Sequence, residues 1–547
     1  MGLLRPELPA GCGREGVVAM REAVAEGGPT GGRIRRHADE DGAAGKGNGG
    51  DGAAGKGDGG AGDGGRDGAR GSRDGGEGGR EPEEFRCRLD ELRAAEFPYL
   101  DATGQAYLDY TGAALPPLSL VRGHAERLGR GPFGNPHSAN PASAASNRAL
   151  EEARAAVLSF CGASPRDYVV IFTANATAAI RLVAEALPAR SRTPLVMLAD
   201  NHNSVLGMRR YAAGTGGSCG VVPLGADFRA DWGRVAEALD AHAAARGPGL
   251  FAYPAQSNAS GVRHPLSWVA QAQRRGWRVL LDAAAYAPTG RLDLGAVPAD
   301  FVPLSWYKIT GYPSGVGCLV ARREALRGLH RPWFAGGTVL AASSHTDWHL
   351  RAPAPEGFED GTLPFLLLPD VTAAVSWYEA RVRPWIARHT AALTGRLLDG
   401  LAALRYPDGR PAVRVLGPEG LRDRGPVVSF NLLRPDGSVL DERIALDAAA
   451  AAGVDVRSGC FCNPGVAELA NGMTPEVVRQ ALGRGAPSDV DGYLRLLRVH
   501  AQGAVRASLG AASNAADVDR LLQVCADLCA QAARHPLPDP LAPRLGC

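Results

Sequence analysis

The chain has 547 residues, with 60 Lys plus Arg against 58 Asp plus Glu and a formal charge of +2. Basic residues matched by acidic ones along the chain remove the electrostatic case for a nucleic-acid partner. No run approaches the ~18 apolar residues of a membrane span, and no basic n-region precedes an apolar h-region at the start, so no membrane partner and a cytoplasmic location are the expectation.

In chain order, residues 1–84 read as a glycine-rich arm. The stretch D-G-A-A-G-K-G-N-G-G is followed by the near copy D-G-A-A-G-K-G-D-G-G, and such a segment buries too little apolar surface to offset its ordering entropy. The remaining residues are too many for one typical core and imply two domains, 85–375 and 376–547. In the first, apolar strands alternate with Ala-rich helices, as a mostly parallel sheet requires.

Tyr168–Phe172 reads as a buried strand, followed by a turn of small residues and an amphipathic helix from about Thr177. Ala174 and Ala176 leave room for an anion at the helix N-terminus, and the Thr177 hydroxyl adds a donor. An ordinary capped helix has the same pattern. His202 follows the strand-like P-L-V-M-L-A and is a candidate to lie over an aromatic ring or, alternatively, a structural histidine; Asn201 competes with it for register. Asn258 emerges in the polar turn after F-A-Y-P, where an Asn either bonds its own backbone or reaches a ligand.

Asp282 closes V-L-L-D, and Lys308 closes F-V-P-L-S-W-Y-K 26 residues later. An amine and a carboxylate at two strand ends are what pyridoxal phosphate (PLP) requires: the lysine forms a Schiff base with the aldehyde, and the carboxylate bonds the pyridinium nitrogen. Ser305, three residues before the lysine, and Thr362, beside Gly361 in F-E-D-G-T, are further phosphate donors by type.

From about residue 376 a long helix is predicted to lead into a smaller α+β domain with strands over Val427–Leu433 and Ala504–Leu509 and a closing helix over Asp517–Cys529. Between them lies Arg457-Ser-Gly-Cys-Phe-Cys462-Asn-Pro-Gly, read as a loop after a short strand. No second cysteine pair stands at ligand spacing, so no metal site is expected. A bridge between Cys460 and Cys462 would be badly strained. The ten cysteines, irregularly spaced, suit reduced thiols. A thiol beside an arginine on such a loop fits a nucleophile, against the alternative of an inert small hydrophobe.

Together these stretches resemble the class V aminotransferases, and within them the PLP domain of molybdenum cofactor sulfurases and, more distantly, cysteine desulfurases. The resemblance is carried by Y-L-D-Y-T-G-A-A-L-P, D-N-H-N-S-V-L-G-M-R, P-A-Q-S-N-A-S-G, L-L-D-A-A-A-Y-A-P-T, S-W-Y-K-I-T-G-Y-P-S-G-V-G, F-E-D-G-T, R-S-G-C-F-C-N-P-G and G-A-V-R-A-S-L-G in consistent order over roughly residues 95–535. It implies an α/β, fold-type-I PLP-dependent transferase (aspartate aminotransferase-like), with a large, mostly parallel sheet and a smaller α+β domain. By the resemblance Lys308 is the Schiff-base lysine and Asp282 the ring-nitrogen partner. Ala176, Thr177, His202, Asn258 and Ser305 surround the cofactor, and Thr362 serves the neighbouring subunit of a homodimer. Cys462 fits the R-x-G-x-x-C position of the desulfurase nucleophile, and Arg506 with Arg457 holds the substrate carboxylate.

The implied reaction is desulfuration of L-cysteine, leaving a persulfide on Cys462 and releasing alanine, with the sulfur acceptor left open. Full-length sulfurases continue into a further cofactor-binding domain after the point where this stretch stops at Cys547. Two alternatives share the scaffold: another class V reaction (transamination, epimerisation or β-elimination) in which Cys462 is no nucleophile, and a non-catalytic PLP-fold binding protein.

Overall fold

Strands made almost wholly of apolar residues are expected where both faces of a sheet are covered, and that is what the computed structural model shows. It describes residues 83–544, apart from 137, 189–191, 244–247, 335, 486, 500–502 and 541–542. The arm expected over residues 1–84 lies outside the described residues, but for the start of a helix, Glu83–Glu96. The strands in chain order are β1 (Ala106–Tyr107), β2 (Tyr168–Thr173), β3 (Leu195–Leu198), β4 (Cys219–Val222), β5 (Leu250–Pro254), β6 (Arg278–Asp282), β7 (Phe301–Ser305) and β8 (Gly317–Arg322), then β9 (Val339–Ala342), β10 (His349–Arg351), β11 (Val413–Val415), β12 (Val427–Leu432), β13 (Val454–Asp455), β14 (Arg457–Gly459) and β15 (Ala504–Ser508).

Seven of them form one sheet in the order β2-β8-β7-β6-β5-β3-β4. Strands β3 to β7 run parallel, and β8 is antiparallel to both β7 and β2. Alternate side chains of β2 enter two different cores: Tyr168, Val170 and Phe172 join one, Val169 and Ile171 the other. The first core is closed by the helices Pro141–Phe160 and Leu368–Arg381, the second by the helix Ala176–Ala186. Because β5, β6 and β7 are parallel, their carboxyl ends, Pro254, Asp282 and Ser305, open on one edge. Open α/β sheets bind ligands at that edge.

A second sheet has the order β11-β12-β15-β14 and is antiparallel throughout. Its core is formed with the helices Ile386–Ala403 and Ala515–Arg534. Near the beginning of the described chain, β1 pairs in parallel with β13.

Two local expectations need correction. The helix predicted from about residue 376 is instead the end of Leu368–Arg381, and a new helix begins at Ile386. Pro384 between them has no N–H to continue the ladder. The residues from Arg457, read as loop, begin with the three-residue edge strand β14, which pairs with β15.

Candidate active site

Asp282, Ser305 and Lys308 reach one cavity from adjacent strand ends. The cavity is lined by them together with Ala176, Thr177, His202, Asn258, Gln256 and Tyr307. Lys308 sits in the single turn Trp306–Ile309 that follows β7. Burial holds its amine below the usual lysine range; the Asp282 charge opposes this, and the Arg506 and Arg457 charges add to it. Asp282 stays fixed by accepting the Ala284 backbone N–H at 3.0 Å.

The helix Ala176–Ala186 points its N-terminus into the cavity. Two of its first amides are already capped: Ala178 N–H donates to the Asn175 side chain at 2.9 Å, and Ala176 N–H donates to Ser305 Oγ at 2.8 Å. Among the described residues the Thr177 N–H has no protein acceptor, and it is available to an anion beside the Ser305 and Thr177 hydroxyls. The Thr177 hydroxyl pairs with Ser204 Oγ at 2.7 Å.

The end of β3 gives Asn201 and His202 different surroundings. Asn201 is fully buried, donating to the carbonyls of Leu198 and Ala252, both at 3.0 Å. His202 lines the cavity. Burial, then the Lys308 charge, holds the His202 imidazole below its ordinary value, and Asp282 opposes them. A neutral ring is the form suited to lie over a cationic pyridinium.

Cys462, Arg457 and Arg506 do not line the cavity; they stand beside it and are tied to it through Asn258. The Asn258 amide donates to Phe461 O at 2.8 Å, its Oδ1 accepts from Asn463 Nδ2 at 3.0 Å, and its backbone carbonyl accepts from Arg506 at 3.1 Å. Asn463, fully buried, also donates to Asp200 O at 2.7 Å. The Asn203 N–H donates to Cys462 O at 2.7 Å. These bonds hold Phe461 and Cys462 at φ of 57° and 52°, a left-handed conformation that two consecutive non-glycine residues adopt only when their surroundings impose it. Next door, a Cβ on Gly465 would run into the Ala199 carbonyl, so glycine lets the loop dock against the end of β3.

Cys462 is a free, half-buried thiol, as are or are more deeply buried Cys161, Cys219, Cys318, Cys525 and Cys529. Cys460 is disulfide-bonded. The expectation of reduced thiols throughout is corrected there, while the strain argument against a Cys460–Cys462 bridge agrees with the free Cys462.

Arg506 is buried, with its guanidinium 4.8 Å from the centre of the Phe461 ring. Its Nη2 donates to Asp109 Oδ1 at 2.9 Å; Arg457 donates to Asp109 Oδ2 through Nε at 3.0 Å and Nη2 at 2.7 Å. Sequence reasoning quoted Asp109 only as part of Y-L-D-Y-T and assigned it nothing. Its one readable signal is an acid in an apolar run that needs a buried counter-charge. Asn463 was likewise seen only as a turn residue. Thr362 is exposed and does not line the cavity. Its loop is anchored by Glu359, which is buried and bonded by Arg154 at 2.8 and 3.1 Å and by the Phe172 N–H at 2.9 Å.

A buried amine of lowered basicity, a facing carboxylate, a capped helix end with an open amide and a neutral imidazole fit the aldehyde, ring nitrogen, phosphate and ring face of PLP. Comparison with known proteins agrees. The chain is 38% identical over 461 residues to the molybdenum cofactor sulfurase of Bos taurus, covering 80% of this chain and 51% of that one. It is 35% identical over 466 residues to the molybdenum cofactor sulfurase of Homo sapiens, with the same coverages. The chain thus spans about half the length of these curated relatives. Among solved structures, an apo cysteine desulfurase from Thermococcus onnurineus superposes with a TM-score of 0.66 at 24% identity, covering 81% of this chain and 98% of that one. The cysteine desulfurase CsdA of Escherichia coli, in an S-sulfonic acid form, does so with 0.62 at 22%, covering 81% and 98%. The fold is the type I fold of PLP-dependent enzymes. With the aminotransferase class-V model matched along residues 106–521, the chain belongs to the class-V aminotransferase family, whose cofactor is pyridoxal phosphate.

Proposed function

We propose that the chain is a cysteine desulfurase-type enzyme that takes sulfur from L-cysteine onto Cys462 and releases alanine. The observation that carries the reading is the tether between the two halves of the chemistry. Asn258 lines the cavity that contains Lys308 and also bonds the loop that carries Cys462. PLP, when bound, supplies an aldehyde that captures amines and a ring that accepts an electron pair.

The chain's own residues do the rest. Lys308 would hold the cofactor, and its amine, kept weakly basic by burial, would take the Cα proton of the substrate. Asp282 would keep the ring nitrogen protonated, and His202 would cover the ring. Arg506 receives the α-carboxylate. The Cys462 thiolate attacks the substrate sulfur: the new S–S bond forms as the C–S bond breaks, its electron pair remaining with carbon, which is then protonated to give alanine. For the acceptor, the relatives named molybdenum cofactor sulfurases make that cofactor the proposed destination.

The protein is further proposed to be a cytoplasmic homodimer. Thr362 stands away from its own cavity, and Gly336, at the base of the β9–β10 hairpin, packs against Gly361 beside it. This side exposes Trp333, Phe334, Leu340, Trp348 and Leu350, more large apolar side chains than a monomer surface commonly leaves together. A second copy covering them is the proposed neighbour whose cofactor Thr362 would serve.

A competing reading, another class-V reaction without a cysteine nucleophile, is favoured by one observation: Cys462 does not line the cavity. Incubating PLP-loaded protein with L-cysteine and measuring alanine, sulfide and enzyme-bound persulfide separates the two. Stoichiometric alanine and persulfide support desulfuration, alanine or keto acid without persulfide supports the competitor, and no turnover supports a binding protein.

A further inference from the structure

Arg457 and Arg506 are directly opposed across β14 and β15. Like charges in that position repel, and two adjacent arginines at an amino-acid site are suited to a substrate with two carboxylates. Here the pair is bridged by a carboxylate of the chain itself. Asp109, 9% exposed, gives one oxygen to Arg506 and the other to both Nε and Nη2 of Arg457. Glycine at 112 is required for this arrangement, since a Cβ there would run into the Asp109 carboxylate and the Arg457 guanidinium. Arg506 keeps a buried Nε without a partner among the described residues, so it still has a donor to offer. Arg457 has Nε and one Nη already committed to Asp109.

We propose that Asp109 is a specificity-determining residue. It occupies Arg457 as a built-in second carboxylate and so restricts the site to α-amino acids with a single carboxylate. The inference rests on the proposed amino-acid function and adds a substrate rule to it. Two arginines and one aspartate leave one net positive charge, which one α-carboxylate neutralises. A dicarboxylic amino acid would bring its second acid against Asp109, with Nε and Nη2 of Arg457 already bonded to that carboxylate.

The test is spectroscopic and requires no turnover. PLP-loaded full-length protein, wild type and Asp109→Asn, is titrated with L-alanine and with L-aspartate, following the visible absorption of the cofactor. Asp109→Asn keeps the shape and one acceptor oxygen while removing the charge, and its cofactor band reports that the site is intact. The expected result is that L-aspartate affinity relative to L-alanine rises at least tenfold in Asp109→Asn and returns to the wild-type ratio in the double variant Asp109→Asn/Arg457→Gln. An unchanged ratio in Asp109→Asn, including equal weakening of both ligands, would overturn the proposal, as would a gain that survives removal of Arg457. A wild type whose colour responds neither to L-cysteine nor to L-alanine would instead overturn the amino-acid reading, and the substrate rule with it.

Discussion

Asn258 and Asn463 bond side chain to side chain at 3.0 Å, and through this contact the wall of the cofactor cavity and the base of the cysteine loop form one hydrogen-bonded unit. Asn258 reaches forward to the Phe461 carbonyl and Asn463 back to the Asp200 carbonyl. The loop position is therefore set from the cavity side and not only by its own sequence.

Asn463→Ala tests that coupling. It removes two buried donor bonds and leaves their acceptors unpaired, at about 1–3 kcal/mol each. Part of that cost falls on the loop, so persulfide formation is expected to slow roughly 10- to 100-fold, about 1.4 kcal/mol per tenfold. The cofactor spectrum should remain. The check is single-turnover persulfide labelling alongside an absorption scan; a variant with wild-type labelling would show that the latch does not position the thiol.

The two neighbouring cysteines are expected to separate cleanly. Cys462→Ala should abolish persulfide formation while retaining bound PLP, because Cys462 is the free thiol and bears the loop's tethers. Cys460→Ala should keep substantial activity. Mass spectrometry of the trapped persulfide decides it, and equal loss in both variants would show that the Cys460 disulfide is needed to position Cys462.

Lys308 carries a pH prediction. Its folded pKa lies below the ordinary 10.5, so at any pH in the window beneath 10.5 the folded apo-protein holds a larger fraction of uncharged amine than a free lysine would. Cofactor uptake, read as growth of the visible band after mixing apo-protein with PLP, should rise with pH and reach half its maximal rate below 10.5. Lys308→Ala should give no such band at any pH. A half-maximum at or above the ordinary value would remove the argument from burial.

Glu359 links stability to assembly. Breaking its buried pair with Arg154 by Glu359→Ala leaves the guanidinium uncompensated and is expected to cost about 3–5 kcal/mol, seen as a lower denaturant midpoint. The same change frees the Thr362 loop. Sedimentation should therefore show wild-type homodimer and a weakened dimer in Glu359→Ala; active wild-type monomer alone would end the homodimer proposal.

The cavity was legible in the sequence because its residues close apolar runs. Asp282 and Ser305 end strands, Lys308 follows the next turn, and Thr177 opens a helix after a strand, each marked by a local change of pattern. Asp109 and Asn463 were not legible in this way. Their partners stand hundreds of positions away, 348 for Asp109 with Arg457 and 205 for Asn463 with Asn258, and no local periodicity encodes such a pairing. The strand β14 was missed because three residues, one of them glycine, are too short to show alternation. The break before Ile386 could have been read from Pro384, which outweighs the helical pattern around it.

The Asp109–Arg506 bond spans 397 positions of the chain. A ribosome adding ~5–20 residues each second needs roughly 20–80 s to cover that interval. Within it the strands β2 to β8 are made first, and with them Asp282, Ser305 and Lys308, while β14 and β15 come only at its end. All the residues that line the cavity are thus translated before Arg457, Cys462 and Arg506. A product truncated before β14 would carry Asp282, Ser305 and Lys308 without Arg457, Cys462 or Arg506.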